Sequence, residues 1–482
     1  MARFREKVGL TFDDVFLVPQ KSDVVPTEVD VSVELFPGFR LKIPILSAAM
    51  DKVTEARFAI VLAREGGLGV IHRGLPTEKQ KKEVEDVKLS QSCVIIRPII
   101  LTKKDTIAKA QEKMKKYNIS GFPVVEGEKL VGIITKRDID FVRDGLTEVG
   151  SRMKTDVITA PENVSMEEAE DKLTTNRIEK LPLVDNQGNL KGLITLKDIR
   201  KGIVYPNACK DNQGRLMVGA AVGVTGDYFE RARVLVEAGV DVLVVDVSHG
   251  HSSNELKAIE KLKAGFPHIP LIAGNIATKE AAKDLVEAGA DCIKVGFGPG
   301  SICTTRVVTG CGVPQITATL DCVEGAGGIP VITDGGMRYS GDITKALAVG
   351  ADLVMLGSMF AGIEETPGEV VMFEGKPYKY YRGMGSEEAM GISDENRDRY
   401  SQSPISQGIE SLVPYKGYLK ENLDQYLGGL KAGMGICGAR NIKELHEKAE
   451  FTQVTYAGLI ESHPHDVIQE KDERNYRKGG VR

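Results

Sequence analysis

The 482-residue chain has no tryptophan, no Cys-x-x-Cys pair and no apolar run long enough to span a bilayer. Its seven cysteines (Cys93, Cys209, Cys292, Cys303, Cys311, Cys322 and Cys437) are odd in number and scattered. That pattern speaks against a disulfide framework or a clustered zinc site and for a reducing, cytoplasmic setting. The seven histidines are equally dispersed. Basic residues are not in excess: the formal charge is −5 and the isoelectric point about 6.0, so composition offers nothing to nucleic acid. The opening residues, Met1-Ala-Arg-Phe-Arg-Glu-Lys7, lack the apolar core of a signal peptide. No GxxxxGK[ST] loop is present, which excludes a P-loop NTPase. Gly296-x-Gly298-x-Gly300 is not the Rossmann GxGxxG, so any dinucleotide must bind without that fold.

What the chain does have is repetition. An apolar content of 42% supplies a sizeable core, and the length suggests two to four units. A Gly-x-Asp phrase leads into an apolar run three times: Gly239–Asp241 before Val242–Asp246, Gly289–Asp291 before Cys292–Gly296, and Gly350–Asp352 before Leu353–Gly357. A helical pattern precedes each phrase (227–238, 278–288 and 340–349), putting the glycine where a helix C-cap is wanted. The unbroken apolar runs read as strands buried on both faces of a parallel sheet. Similar runs bring the count to eight, near 44–47, 68–71, 217–222, 242–246, 269–274, 291–295, 329–334 and 352–357. Eight β-α units predict an α/β fold, a (β/α)₈ TIM barrel, with its site at the C-terminal strand ends.

A second repeat interrupts the barrel. Ile119-Ser-Gly-Phe-Pro-Val-Val125 with Gly132–Asp138 recurs as Ile178-Glu-Lys-Leu-Pro-Leu-Val184 with Gly192–Asp198. Residues 93–205 therefore read as two copies of a small β-α module, 93–148 and 152–205. They split the barrel into 1–92 and 206–482. Beyond the eighth strand, residues 373–415 show weak periodicity and read as a lid or binding loop, with a mobile flap over about 384–410.

The loop Gly296–Arg306 sets one cysteine, Cys303, on a glycine- and proline-shaped path, as a nucleophile or an incidental residue of a phosphate turn. Asp334-Gly-Gly336, Gly357-Ser358 and Ser301 look like phosphate handling, since strand-to-helix turns present backbone N–H groups to anions. The first two fall on strands seven and eight, where barrels commonly hold phosphate. Asp334 and Asp246, each at a strand end, could accept ribose hydroxyls or cap a helix.

Two resemblances follow from these residues. The pair at 93–205 resembles tandem CBS domains, and Thr135, Asp138, Thr195 and Asp198 match that family's nucleotide-ribose positions, although all four could be helix caps. Ser47–Asp51, Gly66–His72, Gly298–Arg306, Asp334–Gly336, Gly357-Ser358, Gly383–Ser386 and Arg399-Tyr400 together resemble the inosine-5′-monophosphate (IMP) dehydrogenase and GMP reductase family over nearly the full length. The resemblance implies NAD-dependent oxidation of IMP to XMP in guanine nucleotide biosynthesis, through a Cys303 thioimidate. It implies Arg399 and Tyr400 as activators of the hydrolytic water, with Thr305 beside it. The IMP phosphate falls to Ser301, Gly336, Gly357, Ser358 and Tyr381, and the ribose to Asp334. The base falls to Met384, Gly385 and Glu410, with Gly383 also on the substrate side. Asp246, Ser248 and Asn275 match the NAD side, with Gly296 beneath. Carbonyls of Gly298, Gly300 and Cys303 match a monovalent-cation site, normally potassium, which Glu461, Ser462 and His463 of a neighbouring subunit complete. The family implies a homotetramer or octamer, and the inserted pair a regulatory purine nucleotide. Glu387-Glu388 and Ser401–Gln407 depart from the dehydrogenase pattern. GMP reductase, with NADPH, and a non-catalytic nucleotide-sensing barrel are the alternatives; Arg399-Tyr400 and the inserted modules favour the dehydrogenase.

Overall fold

A computed structural model describes residues 4–5, 8–90, 98–117, 119–140, 142, 144–162, 164–196, 205–392, 405–468 and 476. The chain divides into two compact units, one of residues 1–90, 207–211 and 216–482, the other of 91–206 and 212–215.

The larger unit is built on eight parallel strands: β1 (Ile45–Ser47), β2 (Gly69–Ile71), β3 (Val218–Val222), β4 (Val242–Asp246), β5 (Leu271–Ile276), β6 (Cys292–Val295), β7 (Val331–Asp334) and β8 (Leu353–Leu356). They pair in the order β1-β8-β7-β6-β5-β4-β3-β2, and a parallel bridge from Leu46 to Leu68 closes the ring. All eight runs read from the sequence are strands. Alternation sorts their side chains. Val242, Val244, Ile272, Cys292, Ile332 and Leu353 fill the lumen, whereas Leu243, Val245, Ile293, Val295 and Val331 face the surrounding helices. These helices include α1 (Ala56–Arg64), α2 (Thr77–Ser90), α3 (Tyr228–Glu237), α4 (Ser253–Gly265), α5 (Lys279–Glu287), α6 (Gln315–Gly325), α7 (Ser340–Ala348) and α8 (Leu419–Ile436), the last packed on α7.

The Gly-x-Asp phrase has two jobs. Gly239, Gly289 and Gly350 follow α3, α5 and α7 with positive φ, ending each helix. The aspartate then accepts the first amide of the neighbouring strand. Asp241 takes Val218 N at 2.8 Å, Asp291 takes Leu271 N at 2.8 Å, and Asp352 takes Val331 N at 2.9 Å. The repeat thus fixes the starts of β3, β5 and β7.

The smaller unit contains two similar halves. Helix Ile107–Tyr117 packs with the antiparallel strands Gly121–Glu126 and Lys129–Thr135 around Phe122, Val124 and Ile134. Helix Met166–Thr175 packs with strands Lys180–Val184 and Leu190–Thr195 around Leu181, Leu183 and Ile194. The repeated sequence positions are the core positions of both halves.

The described parts of 373–415 are more regular than the sequence suggests, and much of the expected flap, 393–404, lies outside the described residues. Strands Val370–Phe373, Lys376–Arg382 and Glu410–Pro414 form an antiparallel sheet, and Glu387–Ile392 is helical. The first two meet at a two-residue turn in which Glu374 and Gly375 both take positive φ. Exposed apolar residues such as Met372 and Phe373 blur the alternation that would have announced the hairpin.

Candidate active site

A cleft of about 930 Å³, including its open mouth, lies at the C-terminal ends of the strands. Of the sequence-predicted residues it is lined by Asp246, Ser248, Asn275, Gly296, Gly298, Gly300, Cys303, Thr305, Asp334, Gly336, Gly357, Ser358, Tyr381, Gly383 and Met384. They come from six separate stretches of chain, and closure of the barrel is what gathers them.

The floor is a buried ionic network. Asp246, Lys294 and Asp334 follow Val244, Cys292 and Ile332 by two residues, so the strand period places all three in the lumen, above the apolar layer. Lys294 Nζ lies 3.1 Å from Asp246 Oδ1 and 3.0 Å from Asp334 Oδ2, and it also donates to Asn275 Oδ1. Asn275 Nδ2 donates to Gly296 O and to Asp334 Oδ2, both at 2.9 Å. With Lys294 and Asp246 only 1% and 2% exposed, the charges are held in a dry environment and depend on one another. Sequence reasoning missed Lys294. Its signal was a lone lysine in an apolar strand covered on both faces.

Cys303 is half-buried on the loop after β6, with Sγ 3.1 Å from Thr305 Oγ1. Its own amide donates to Gly300 O at 3.1 Å. The loop is pinned from both sides. Arg306 donates to the carbonyls of Phe297 at 2.9 Å and Val313 at 2.6 Å, while the 405–409 segment pairs with it through Thr304 N to Gln407 O at 3.0 Å and Ile409 N to Ile302 O at 3.0 Å. Gln407 therefore enters the cleft, a residue the sequence reading flagged only as atypical.

The turns after β7 and β8 converge with Tyr381. A Cβ built on Gly357 would stand 3.2 Å from the Tyr381 hydroxyl, so any larger residue there would press on the phenol. Burial pushes the Tyr381 phenol up, with Asp334 and Cys303 adding to the shift and a hydrogen bond with Ser301 opposing it. The phenol stays a neutral donor. Lys416 ties the β8 turn through the carbonyls of Ser358 at 2.8 Å and Met359 at 2.9 Å.

Several predicted residues stand elsewhere. Ser301 is exposed and reaches the site through Tyr381. Gly385 lies behind the lining, its carbonyl accepting from Gln407 N at 2.8 Å. Glu410 is exposed: it pairs across the strand with Arg382, and its carboxylate accepts from Glu388 N at 3.0 Å. Its pKa is lowered, first by a hydrogen bond with Ser386. It buttresses the helix Glu387–Ile392 and does not face the cleft. Glu461, Ser462 and His463 close a C-terminal helix away from the cleft, where His463 Nδ1 is 3.1 Å from the Tyr476 hydroxyl. Thr135 and Asp138 form a capping box, with Thr135 N and Oγ1 at 2.8 and 2.6 Å from Asp138 Oδ2. Thr195 ends its strand. Asp198, Arg399 and Tyr400 lie outside the described residues.

Among the described residues no group of three or more His, Cys, Asp or Glu could hold a metal ion. The donors offered by Gly298, Gly300 and Cys303 are backbone carbonyls, suited to a hard monovalent ion. No helix of the described residues is long and apolar enough to cross a membrane.

The profile of the IMP dehydrogenase / GMP reductase domain matches residues 9–465. The chain belongs to this family. It is 56% identical over 480 residues to the inosine-5′-monophosphate dehydrogenase of Aquifex aeolicus and 52% identical to that of Bacillus subtilis, covering 98% of both chains in each case. It is also similar to a crystal structure of GMP reductase from Trypanosoma brucei, a cysteine-to-alanine variant in complex with guanosine 5′-monophosphate. That likeness has a TM-score of 0.86 at 41% identity and covers 96% of this chain and 98% of the other. Coverage that wide spans the inserted residues, so the insertion does not separate the two activities of the family.

Proposed function

We propose that the chain oxidises IMP to XMP with NAD. The observation that carries this reading is the meeting of Cys303, the β7 and β8 turns and the Asp246–Lys294–Asp334 floor in one cleft, in a chain more than half identical to curated IMP dehydrogenases. In the proposed reaction Cys303 Sγ adds to C2 of the base, a hydride leaves that carbon, and water hydrolyses the thioimidate to release the thiol and XMP. Covalent capture divides a difficult oxidation and hydration into two steps. NAD supplies the hydride acceptor. Thr305, 3.1 Å from Cys303 Sγ, is placed to hold the water, and Arg399-Tyr400 would activate it.

The β7 and β8 turns with Tyr381 and Ser301 would hold the phosphate, and Asp334 the ribose. Met384 and Gln407 would face the base, a role the placement of Glu410 does not support. Asp246, Ser248 and Asn275 would take the dinucleotide. Among the described residues no turn bond to the carbonyls of Gly298 and Cys303 competes with potassium, whereas that of Gly300 is shared with Cys303 N. Assembly as a homotetramer, cytoplasmic location and a purine nucleotide on a CBS-like pair at 93–205 belong to the same proposal.

The likeness to GMP reductase supports a second reading, reductive deamination of GMP with NADPH. One assay decides. Purified protein with IMP, NAD and potassium should produce NADH and XMP. Silence there, with ammonia released from GMP and NADPH, would reverse the assignment.

A further inference from the structure

Glu255 is a fully buried carboxyl in the larger unit. It lies in the first turn of α4, three residues after the cap Ser252, whose hydroxyl accepts the Glu255 amide. A glutamate at that position commonly reaches back to the cap amide. Here the side chain turns inward, is fully buried, and among the described residues neither carboxyl oxygen has a hydrogen-bond partner of normal geometry. A Cβ built on Gly250 would stand 3.1 Å from Glu255 Oε2 and 2.9 Å from the carbonyl oxygen of Asn275. The carboxyl is thus wedged beneath the loop that carries Asp246 and Ser248.

The charged groups facing it are Lys294 from β6, which attracts the anion, and Asp246 from β4, which repels it; β5 offers only the amide of Gly274 as a weak donor. Lys294 is already shared by Asp246, Asp334 and Asn275. One cation cannot satisfy three carboxylates in a dry site, and an unpaired buried charge costs several kcal/mol. Burial accordingly pushes the Glu255 carboxyl well above its ordinary range.

We propose that Glu255 is a positioning residue of the cofactor half of the cleft, a neutral carboxylic acid whose ionisation draws Lys294 away from Asp246. The proposal rests on the reading that the Asp246 side binds NAD. While Glu255 is protonated, Lys294 holds Asp246 and Asp334 in register as acceptors. Loss of the proton puts a third anion in competition for the ammonium, loosening Asp246 and weakening the dinucleotide.

The test is the pH profile of KM for NAD, at saturating IMP, for the wild type and Glu255→Gln. The wild type should show KM rising with pH by about fivefold or more, the low end for two coupled sites. The Gln variant, which cannot ionise, should keep its low-pH value throughout. His249 and His251 lie in the same loop, with His249 lowered by burial and by His251. Their titration is common to both proteins and cancels in the comparison. Parallel profiles would overturn the proposal. Should the Gln variant fail to fold, Glu255→Leu takes its place with the same two outcomes.

A second readout needs no turnover. The infrared C=O stretch of a protonated carboxyl should be present in the wild type at neutral pH and absent from the variant, and its absence from the wild type would sink the neutral acid. No NADH from the wild type refutes the activity; NADH with parallel profiles refutes only the role of Glu255.

Discussion

Lys294 Nζ sits 3.0 Å from Asp334 Oδ2, and the same ammonium lies 3.1 Å from Asp246 Oδ1. One buried cation thereby couples the strand that ends at the β7 turn to the strand that opens the proposed dinucleotide side. Neither half of the cleft is electrostatically independent of the other.

Replacing Lys294 with methionine keeps the stem and removes the charge. Buried Asp246 would then lose its cation and half-buried Asp334 would keep only the Asn275 amide, a loss of up to about 3–5 kcal/mol. Chemical denaturation at neutral pH measures it. A variant as stable as the wild type would mean that water already screens the network.

Cys303→Ala should abolish turnover and retain IMP binding, because the loop is held by backbone pairs and Arg306 and owes little to the thiol. Calorimetric titration with IMP beside the NADH assay separates the two. Residual full activity would remove the covalent step.

Gly296 has φ +155°, and a Cβ there would stand 2.2 Å from the backbone oxygen of Asp334. The clash is with main chain and cannot be relieved by a rotamer change. Gly296→Ala should lower both stability and activity, with at least a tenfold loss in kcat/KM, about 1.4 kcal/mol. Thermal melting and steady-state kinetics would show it, and an Ala variant of normal activity would mean that β6 and β7 are free to shift apart.

Glu255 also predicts a pH dependence of stability. Its folded pKa is raised above the unfolded value, so the native state holds the proton more tightly. The wild type should lose stability as pH climbs from the unfolded pKa toward the folded one, by up to about 1.4 kcal/mol per pH unit. Glu255→Gln lacks this loss, so its stability relative to the wild type should improve as pH rises above the ordinary carboxyl range. A difference in unfolding free energy that is flat with pH would contradict the linkage.

Deleting 93–205 should leave a folded barrel with IMP oxidation largely intact, since all eight barrel strands lie outside the deleted residues. Circular dichroism and the NADH assay report on each part. Collapse of the barrel would refute the division.

The barrel was legible because its strands are buried on both faces and marked by a recurring Gly-x-Asp. Backbone capping imposes that phrase locally, so it survives in a single sequence. Cys303, the glycine turns and the acidic strand ends were legible for a related reason, as their backbone demands restrict residue type. The hairpin at 370–382 was not, because exposed apolar side chains erase its alternation. Glu410 was placed in the site by motif matching, but cross-strand pairing with Arg382 turns it outward.

Sequence alone determined the eight β-α units, the inserted repeat and the glycine-shaped path of the Cys303 loop, since each rests on local periodicity or on a turn that only certain residues can make. Tertiary closure decided the rest. Gln407 and Glu255 carry no local mark, Lys294 only its place as a lone lysine in an apolar strand, and the ring of strands decides what each of them meets. Their energies depend on burial and on partners far away in the chain, which no window of sequence contains.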